Sequence, residues 1–403
     1  MKYKWITILF VFSMSIFLGG CWSSRELSDL AITTALGIDK HEEGFRVTAQ
    51  VMNPGEIAGD QLSSRVPVST YSENGKTIFE ALRRLTQSTP RKLYLSHIRM
   101  VVFGQELAEA GLAPALDFIS RDHEMRTDFS ISVAKDMRAE DLLNVLTPLE
   151  KSPANKIVSS LRTSQNNWAP TKVVTLDELI ATLSSKSKEP VLTGLYITGD
   201  PDTGSSLENV ETIHPPTQLH VDNIGVFHND QLVGWLNESE SKGFNYITDN
   251  ITNTVGWVEC DKEGTVSLEI TKTNTELSGY QEDKKPKIVI DVKSEANIAE
   301  ISCTIDINDE KTIQDIEKKI EKKLVDIVNG SIEKAQELNS DIFGFGEVLG
   351  RFEPKRWQTW GKNWQEEFIN LEIVVNTDMK IIRTGTTTDS FVNDIKKNKN
   401  EDE

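Results

Sequence analysis

Three cysteines carry the most versatile chemistry in this chain, and Cys21 has the most informative surroundings. It follows Leu18, Gly19 and Gly20 at the end of a run, Trp5 to Phe17, whose only polar members are Thr7, Ser13 and Ser15. Lys2 and Lys4 stand before that run. A basic start, an apolar middle and small residues before a cut form the layout of a secretory signal, so export is predicted. The apolar part is about a dozen residues, short of the roughly 20 that a helix needs to cross the hydrocarbon core. No later stretch is apolar enough to span either. Residues 1–20 are therefore expected to be a removed leader.

Leu18-Gly19-Gly20-Cys21 resembles a bacterial lipobox, although Gly19 is less usual there than Ala or Ser. The resemblance implies a diacylglyceryl group on the Cys21 thiol, then cleavage that makes Cys21 the first residue of the mature chain. One acyl chain is a marginal anchor at about 0.8 kcal/mol per buried methylene, and two make a stable one. Cys21 is thus the expected lipidation site, holding the mature chain to membrane lipid. Cys260 and Cys303 lie in strand-like stretches, GWVECDK and AEISCTID. The oxidising side of a membrane permits a bridge. Spacing does not supply the geometry a bridge needs, and two buried free thiols is the reading adopted.

The remaining reactive residues do not assemble into a catalytic or metal motif. His41, His97, His123, His214, His220 and His228 show neither HExxH nor a paired metal spacing, and no G-x-S-x-G, phosphate loop or dinucleotide fingerprint occurs. No catalytic residue, metal or cofactor is expected, and the chain is read as a non-enzyme. Arg121, Asp122, Glu124 and Arg126 in RDHEMR crowd four charges between a helix and a strand. They read either as a local salt-bridge knot or as candidate subunit contacts. Trp357, Trp360 and Trp364 at i, i+3 and i+7 share a helix face and are expected in the core rather than on a sugar platform. Trp235 is likewise read as core.

Composition bounds the partners. With 403 residues, 38% apolar and 26% charged, the chain is ordinary globular protein long enough for two or three domains. Its formal charge of -18 becomes -20 when Lys2 and Lys4 leave. That speaks against nucleic acid, whose phosphates call for a basic face, so no nucleic acid is expected. Anionic lipid would also repel such a chain, which leaves membrane attachment to the lipid on Cys21.

Positioning these groups falls to mixed elements, and the fold class expected is α+β with largely antiparallel sheets flanked by helices. FRVTAQV (45–51) alternates like a half-buried strand, while Ile78, Phe79, Leu82 and Leu85 fall at helical spacing. KLYLSHIRMVVFG (92–104) reads as one long strand, followed by helices QELAEAG and LAPALDFIS and strand DFSISVA. Further helices are expected over AEDLLNVL, 154–164 and 175–183, then strand PVLTGLYIT. Residues 199–218 have the composition of a loop or junction. A hairpin turning at His228 to Gln231 follows, then a helix with Asn237 as cap and Glu240 three residues on, the pattern of a capping box. Strands are expected over 253–260 and 264–273, and a strand pair over KIVIDVKSEANIAEISC. From Ile313 to Leu338 one apolar stripe marks a long amphipathic helix, read as packing on a sheet. FINLEIVVNT and MKIIRTGT supply more strand. The divisions drawn from this are a leader 1–20, an N-terminal α+β domain 21–198, a middle domain 199–285 with the hairpin and capped helix, a C-terminal α+β domain 286–390 and a charged tail 391–403.

CWSSRELSDLA (21–31) with GIDK (37–40), LSHIRMVVFGQELAEAGLAPALDFISRDHEMR (95–126), VFHNDQLVGWLNESESKGF (226–244) and RWQTWGKNWQEEF (356–368) together resemble the Ger(x)C family, the C-subunit lipoproteins of nutrient germinant receptors in endospore-forming bacteria. The resemblance implies three α+β domains and a lipoprotein on the outer face of the spore inner membrane. It also implies assembly with two integral membrane subunits, A-type and B-type, in a complex that answers amino acids, sugars or nucleosides by starting germination. Only Cys21 carries over as a residue of known role. The function expected is a non-catalytic scaffold. The rival is an extracytoplasmic substrate-binding lipoprotein of a transporter, which would show doubly wound strand-helix alternation around a cleft.

Overall fold

Leu30–His41 (β1) and Gly44–Met52 (β2) pair antiparallel from the tight turn between His41 and Gly44. The computed structural model describes residues 30–53 and 65–383, together with Tyr3, Trp5 and Glu56. Cys21 and the tail 391–403 lie outside the described residues. Val68–Gly75 (β3) adds to β2, and the chain then turns into the helix Ile78–Ser88, whose N-cap Thr77 accepts the Glu80 N–H. That helix buries Ile78, Ala81, Leu82 and Leu85, the spacing of a single face laid on a sheet.

The long strand expected over 92–104 is two strands. Lys92–Tyr94 (β4) and Met100–Gly104 (β5) both run parallel to β1, the first beside Leu30 to Ile32 and the second beside Ala35 to Ile38. A 3-10 turn, Leu95–His97, re-seats the chain between them. Because Leu93, Leu95 and Ile98 are all buried, the apolar run continues through the break and conceals it in the sequence. Ser130–Ala134 (β6), Val174–Thr175 (β7), Val191–Thr198 (β8), Gln218–His228 (β9) and Gln231–Trp235 (β10) complete a sheet ordered β10-β9-β8-β6-β5-β1-β2-β3, with β4 on β1 and β7 on β6. Its centre, β1, β5, β6 and β8, is parallel, and its flanks are antiparallel. Antiparallel pairing therefore holds at the flanks of this sheet and at the short strand β7 on β6. Every residue of β5 and β6 is buried, as strands covered by helices on both faces require.

The hairpin turns at Asn229 and Asp230 as expected, with Asn229 at φ 53, and the helix Glu238–Ile247 has its capping box between Asn237 and Glu240. β9 is hydrogen-bonded along β8, so the hairpin extends the first sheet instead of standing in a separate body. The stretch expected as a plain loop holds two short helical turns, Pro201–Gly204 and Glu208–Glu211. Fully buried Asn209 fixes them by bonding the Leu146 carbonyl and both backbone groups of Thr217.

Thr254–Glu259 (β11), Thr265–Glu282 (β12), Lys285–Ile301 (β13) and Glu372–Arg383 (β14) form the second sheet in that order. The expected opening of a last domain at 286 falls inside a hairpin: Glu282 pairs with Lys285, and KIVIDVKSEANIAEI is one strand. Cys260 and Cys303 correct the free-thiol expectation. They are disulfide-bonded, because β11 and β13 end on either side of β12 and bring the two Cα atoms to 6.5 Å, within bridging range. The long helix Glu310–Glu337 buries Ile316, Ile320, Leu324, Val328, Ile332 and Ala335 against this sheet. It also covers both sheet edges. Lys323 Nζ donates to the Trp257 carbonyl on β11 at 3.0 Å. Glu321 and Glu317 each accept a β14 backbone N–H, from Met379 and Ile381, at 2.9 Å.

The two sheets meet along a seam of packed helices and a buried carboxylate. In the helix Glu238–Ile247, a Cβ on Gly243 would lie 2.5 Å from the Ile327 carbonyl oxygen of the long helix, so the two backbones touch. Asp341 is buried beside them. Its Oδ1 accepts the N–H groups of Gly344 (2.9 Å) and Phe345 (3.1 Å), and its Oδ2 accepts those of Gly346 (2.9 Å) and the Trp364 indole (3.0 Å). Desolvation pushes its pKa up to about 6 in spite of these four donors. The Asp341 carbonyl accepts the Glu189 N–H from the first half of the chain, which fastens the loop across the seam.

Candidate interface site

The charged cluster RDHEMR does not form a knot with itself. Arg121 pairs with Asp117 one turn back on the helix Ala113–Arg121, with Nε 3.0 and 2.9 Å from the two carboxylate oxygens. That bond holds the Asp117 carboxyl below its usual range. Arg126 grips Asp128 through two bonds of 3.0 and 2.8 Å. Glu124 meets Lys92 of β4, and its carbonyl accepts the Ser96 hydroxyl at 2.7 Å. Asp122 turns inward to accept the Glu124 N–H at 2.8 Å. Each side chain is thus matched locally, and the pairs at 117–121 and 126–128 are exposed enough to contribute little to stability.

What the cluster does build is one rim of a groove. Arg121, Asp122, His123 and Glu124 line a cavity of about 290 Å3 together with Phe79, Leu82, Arg83, Lys92, Leu93, Leu95 and Phe118. Leu82, Leu93 and Leu95 are its buried floor. Phe79 and Phe118 form the walls with ring centroids 6.2 Å apart, and the Arg83 guanidinium lies 4.7 Å over the Phe79 ring. Phe79 is half exposed, which is unusual for a phenylalanine with an apolar floor beside it. Its wall is held in place by the hairpin. Asp230 accepts the Ala113 N–H at 2.8 Å through its side chain and the Leu112 N–H at 3.0 Å through its carbonyl, capping the helix that carries Phe118 and Arg121. Arg126 lies just outside the groove. An aromatic wall with arginines at its rim is the composition of a protein-protein contact.

Sequence reasoning singled out the rim and missed the walls. In sequence Phe79 groups with Ile78, Leu82 and Leu85 as one helical face, whereas the buried stripe is 78, 81, 82 and 85. Phe79 falls beside that stripe, and only the neighbouring helix shows it to be half uncovered.

Two of the four tryptophans expected in the core are buried, and Trp357 and Trp235 are partly so. Trp360 and Trp364 are buried, and Trp357 meets Trp364 edge-on at 5.1 Å, although the expected single helix is broken by a 3-10 turn at Gly361–Asn363. Trp235 is half-buried over Gly194 and Gly225, with Lys135 Nζ 5.0 Å from its ring centre. The histidines are dispersed: His220 stacks on Tyr196, with burial lowering its pKa, while His228 contacts Gln365 at 3.0 Å. Among the described residues no three His, Cys, Asp or Glu side chains are grouped as metal ligands. Among the same residues no helix is long and apolar enough to cross a membrane.

Comparison with known proteins adds what geometry cannot. Residues 23–197 match the family model described as spore germination protein N-terminal domain, and residues 222–385 match spore germination B3/GerAC like, C-terminal. Spore germination protein KC of Bacillus subtilis (strain 168) is 32% identical over 389 residues, 94% of this chain and 95% of the relative. The chain belongs to the Ger(x)C family. Its role therefore lies in spore germination. Another Ger(x)C relative, spore germination protein B3 of the same organism, is 22% identical and covers 93% of this chain and 97% of its own length. The crystal structure of the GerBC protein superposes with a TM-score of 0.53 at 18% identity, over 86% of this chain and 96% of that one, and shows the same α+β fold.

Proposed function

We propose that this Ger(x)C protein is a non-catalytic, lipid-anchored subunit of a spore nutrient germinant receptor. It is tethered through acylated Cys21 to the outer face of the spore inner membrane and acts as a scaffold for the A-type and B-type integral membrane subunits. The observation that carries this reading is the correspondence with spore germination protein KC from end to end, through both family modules. The groove walled by Phe79 and Phe118 supports it by offering a partner an apolar floor and an arginine rim.

Two substitutions in spores test the two halves of the proposal. Cys21→Ala is expected to release the protein from the membrane fraction and to abolish the response to nutrients, while a trigger that bypasses receptors still works. Phe79→Asp is expected to leave the protein folded and lipidated but unable to co-purify the integral membrane subunits. Normal retention and a normal nutrient response in Cys21→Ala spores would overturn the anchor. Undiminished co-purification with Phe79→Asp would remove the groove from the scaffold.

A further inference from the structure

The point at which a chain is tied down restricts which of its faces meets the membrane, and the inference drawn here rests on the lipid-anchor reading of Cys21. Cys21 and Leu30, the first residue of β1, are nine positions apart. At 3.3–3.6 Å per residue that tether reaches at most about 32 Å. A folded body of this chain's length is roughly 50 Å across from the usual scaling of size with residue number. A tether so short cannot lead round to the opposite pole. The pole at the start of β1 must face the leaflet.

That pole is recognisable from its contacts. Leu30 shares a cavity of about 670 Å3 with Met52, Glu56, Arg65 and Arg91. Lys151 Nζ donates to the Glu56 carbonyl at 2.9 Å, which brings the turn at 147–150 to the same pole. The turn is closed by the Thr147 hydroxyl on the Glu150 carbonyl, at 2.5 Å, and at its tip Leu149 is 97% exposed. A fully exposed leucine is costly in water and favourable in hydrocarbon. Arg65 and Arg91 line that cavity and Lys151 bonds Glu56, so three cations share this pole in a chain of formal charge -18, with Glu56 and Glu150 among them. We propose that this pole is a lipid-docking face, with Leu149 entering the outer leaflet and Arg91 at the level of the phospholipid headgroups. The turn between His41 and Gly44 ends β1 at its other end, away from Leu30, and serves as an internal control.

Hydrogen exchange tests the orientation without depending on acylation in the cell. With Cys260 and Cys303 bonded to each other, Cys21 is the one free thiol of the mature chain and couples selectively to maleimide-phospholipid in vesicles of phosphatidylglycerol and phosphatidylcholine. The reference is the same chain capped with N-ethylmaleimide in solution. Amides of 146–152 are expected to exchange several-fold more slowly on vesicles, those of the turn 41–44 at an unchanged rate, and Leu149→Glu is expected to erase the difference. Equal exchange of 146–152 in the two samples, or protection of the turn 41–44 instead, would overturn the docking face. Protection that arises only when the integral membrane subunits share the vesicle would assign the face to a protein and overturn the lipid assignment. Because the coupling is chemical, these outcomes are independent of the Cys21→Ala experiment that tests the anchor itself.

Discussion

Two glycines of the seam make opposite predictions for the same substitution. Gly243 lies inside the helix Glu238–Ile247 and Gly330 inside the helix Glu310–Glu337, so replacing either by alanine gains about 1 kcal/mol of helix propensity. At Gly330 nothing lies within 4 Å of the new methyl, and the gain should appear undiminished. At Gly243 the methyl would sit 2.5 Å from the Ile327 carbonyl oxygen and 2.7 Å from Ser331 Cβ. The first of these is helix backbone and cannot rotate aside, so the two helices must part by several tenths of an ångström. A gap of 0.5–1 Å forfeits a quarter to a half of the dispersion attraction across a contact, and overpacking of this kind costs about 1–3 kcal/mol. With the upper end appropriate to a backbone clash, Gly243→Ala should be destabilising by about 2 kcal/mol net. Gly330→Ala should be stabilising by about 1 kcal/mol. Urea unfolding followed by tryptophan fluorescence measures both. If the two variants agreed within about 0.5 kcal/mol, the backbone contact would not set the helix spacing and the reasoning would fail.

The remaining predictions concern the carboxylates and the bridge. Since Asp341 has a folded pKa of about 6, above its value near 4 in an unfolded chain, the folded state holds the extra proton in that window. Unfolding free energy should therefore fall as pH rises from 4 to 6, by at most about 3 kcal/mol from this group. Asp341→Asn should lack that slope when the difference between the two proteins is measured by urea titration at each pH. Replacing Glu317 and Glu321 together by alanine strips acceptors from two β14 N–H groups and should cost roughly 2–4 kcal/mol, with light scattering reporting edge-to-edge association; glutamine at both positions should retain most of the stability. Cys260 and Cys303 are 43 residues apart, so replacing both by serine should lower stability by about 4 kcal/mol on the loop-entropy model, measurable as a shift in denaturation midpoint.

Local signals were legible wherever one chain segment carries its own chemistry. Asn237 and Glu240 announce the capped helix because the box needs only those two side chains. The stripe from Ile316 to Ala335 announces the long helix because its buried face repeats with the helix itself. Non-local facts were less accessible. The hairpin of β12 and β13 turns on Asp283 and Lys284 at φ 45 and 69, a pair of left-handed residues usually signalled by Asn-Gly or Asp-Gly. Lysine in the second place disguised it as a domain break. The disulfide depends on where β11 and β13 end beside β12, which no spacing of cysteines records. MVVFG did carry a sign of the parallel centre in its unbroken apolar run, whereas SISVA alternates serine with Ile131 and Val133 and so conceals that it too is buried at every position. The groove was hidden for a related reason: a phenylalanine next to a buried helical stripe looks like core until its neighbour is seen to leave it half open.

The groove and the pole proposed to dock on lipid also stand close together, and this bears on how a scaffold would work. Lys92, which holds Glu124 at the groove rim, pairs in register with Leu30, where the tether enters the fold. A partner reaching the walls of Phe79 and Phe118 would thus approach at nearly the height of the leaflet, where an integral membrane subunit emerges. Tethering there would confine the groove to a shallow layer above the membrane and raise its effective concentration for such a partner. If that is how the subunit works, lengthening the chain between Cys21 and Leu30 with a flexible insert of about 20 residues should weaken co-purification of the integral membrane subunits while leaving membrane retention intact. Undiminished assembly with the longer tether would show that the groove's own affinity suffices, and the confinement argument would be lost.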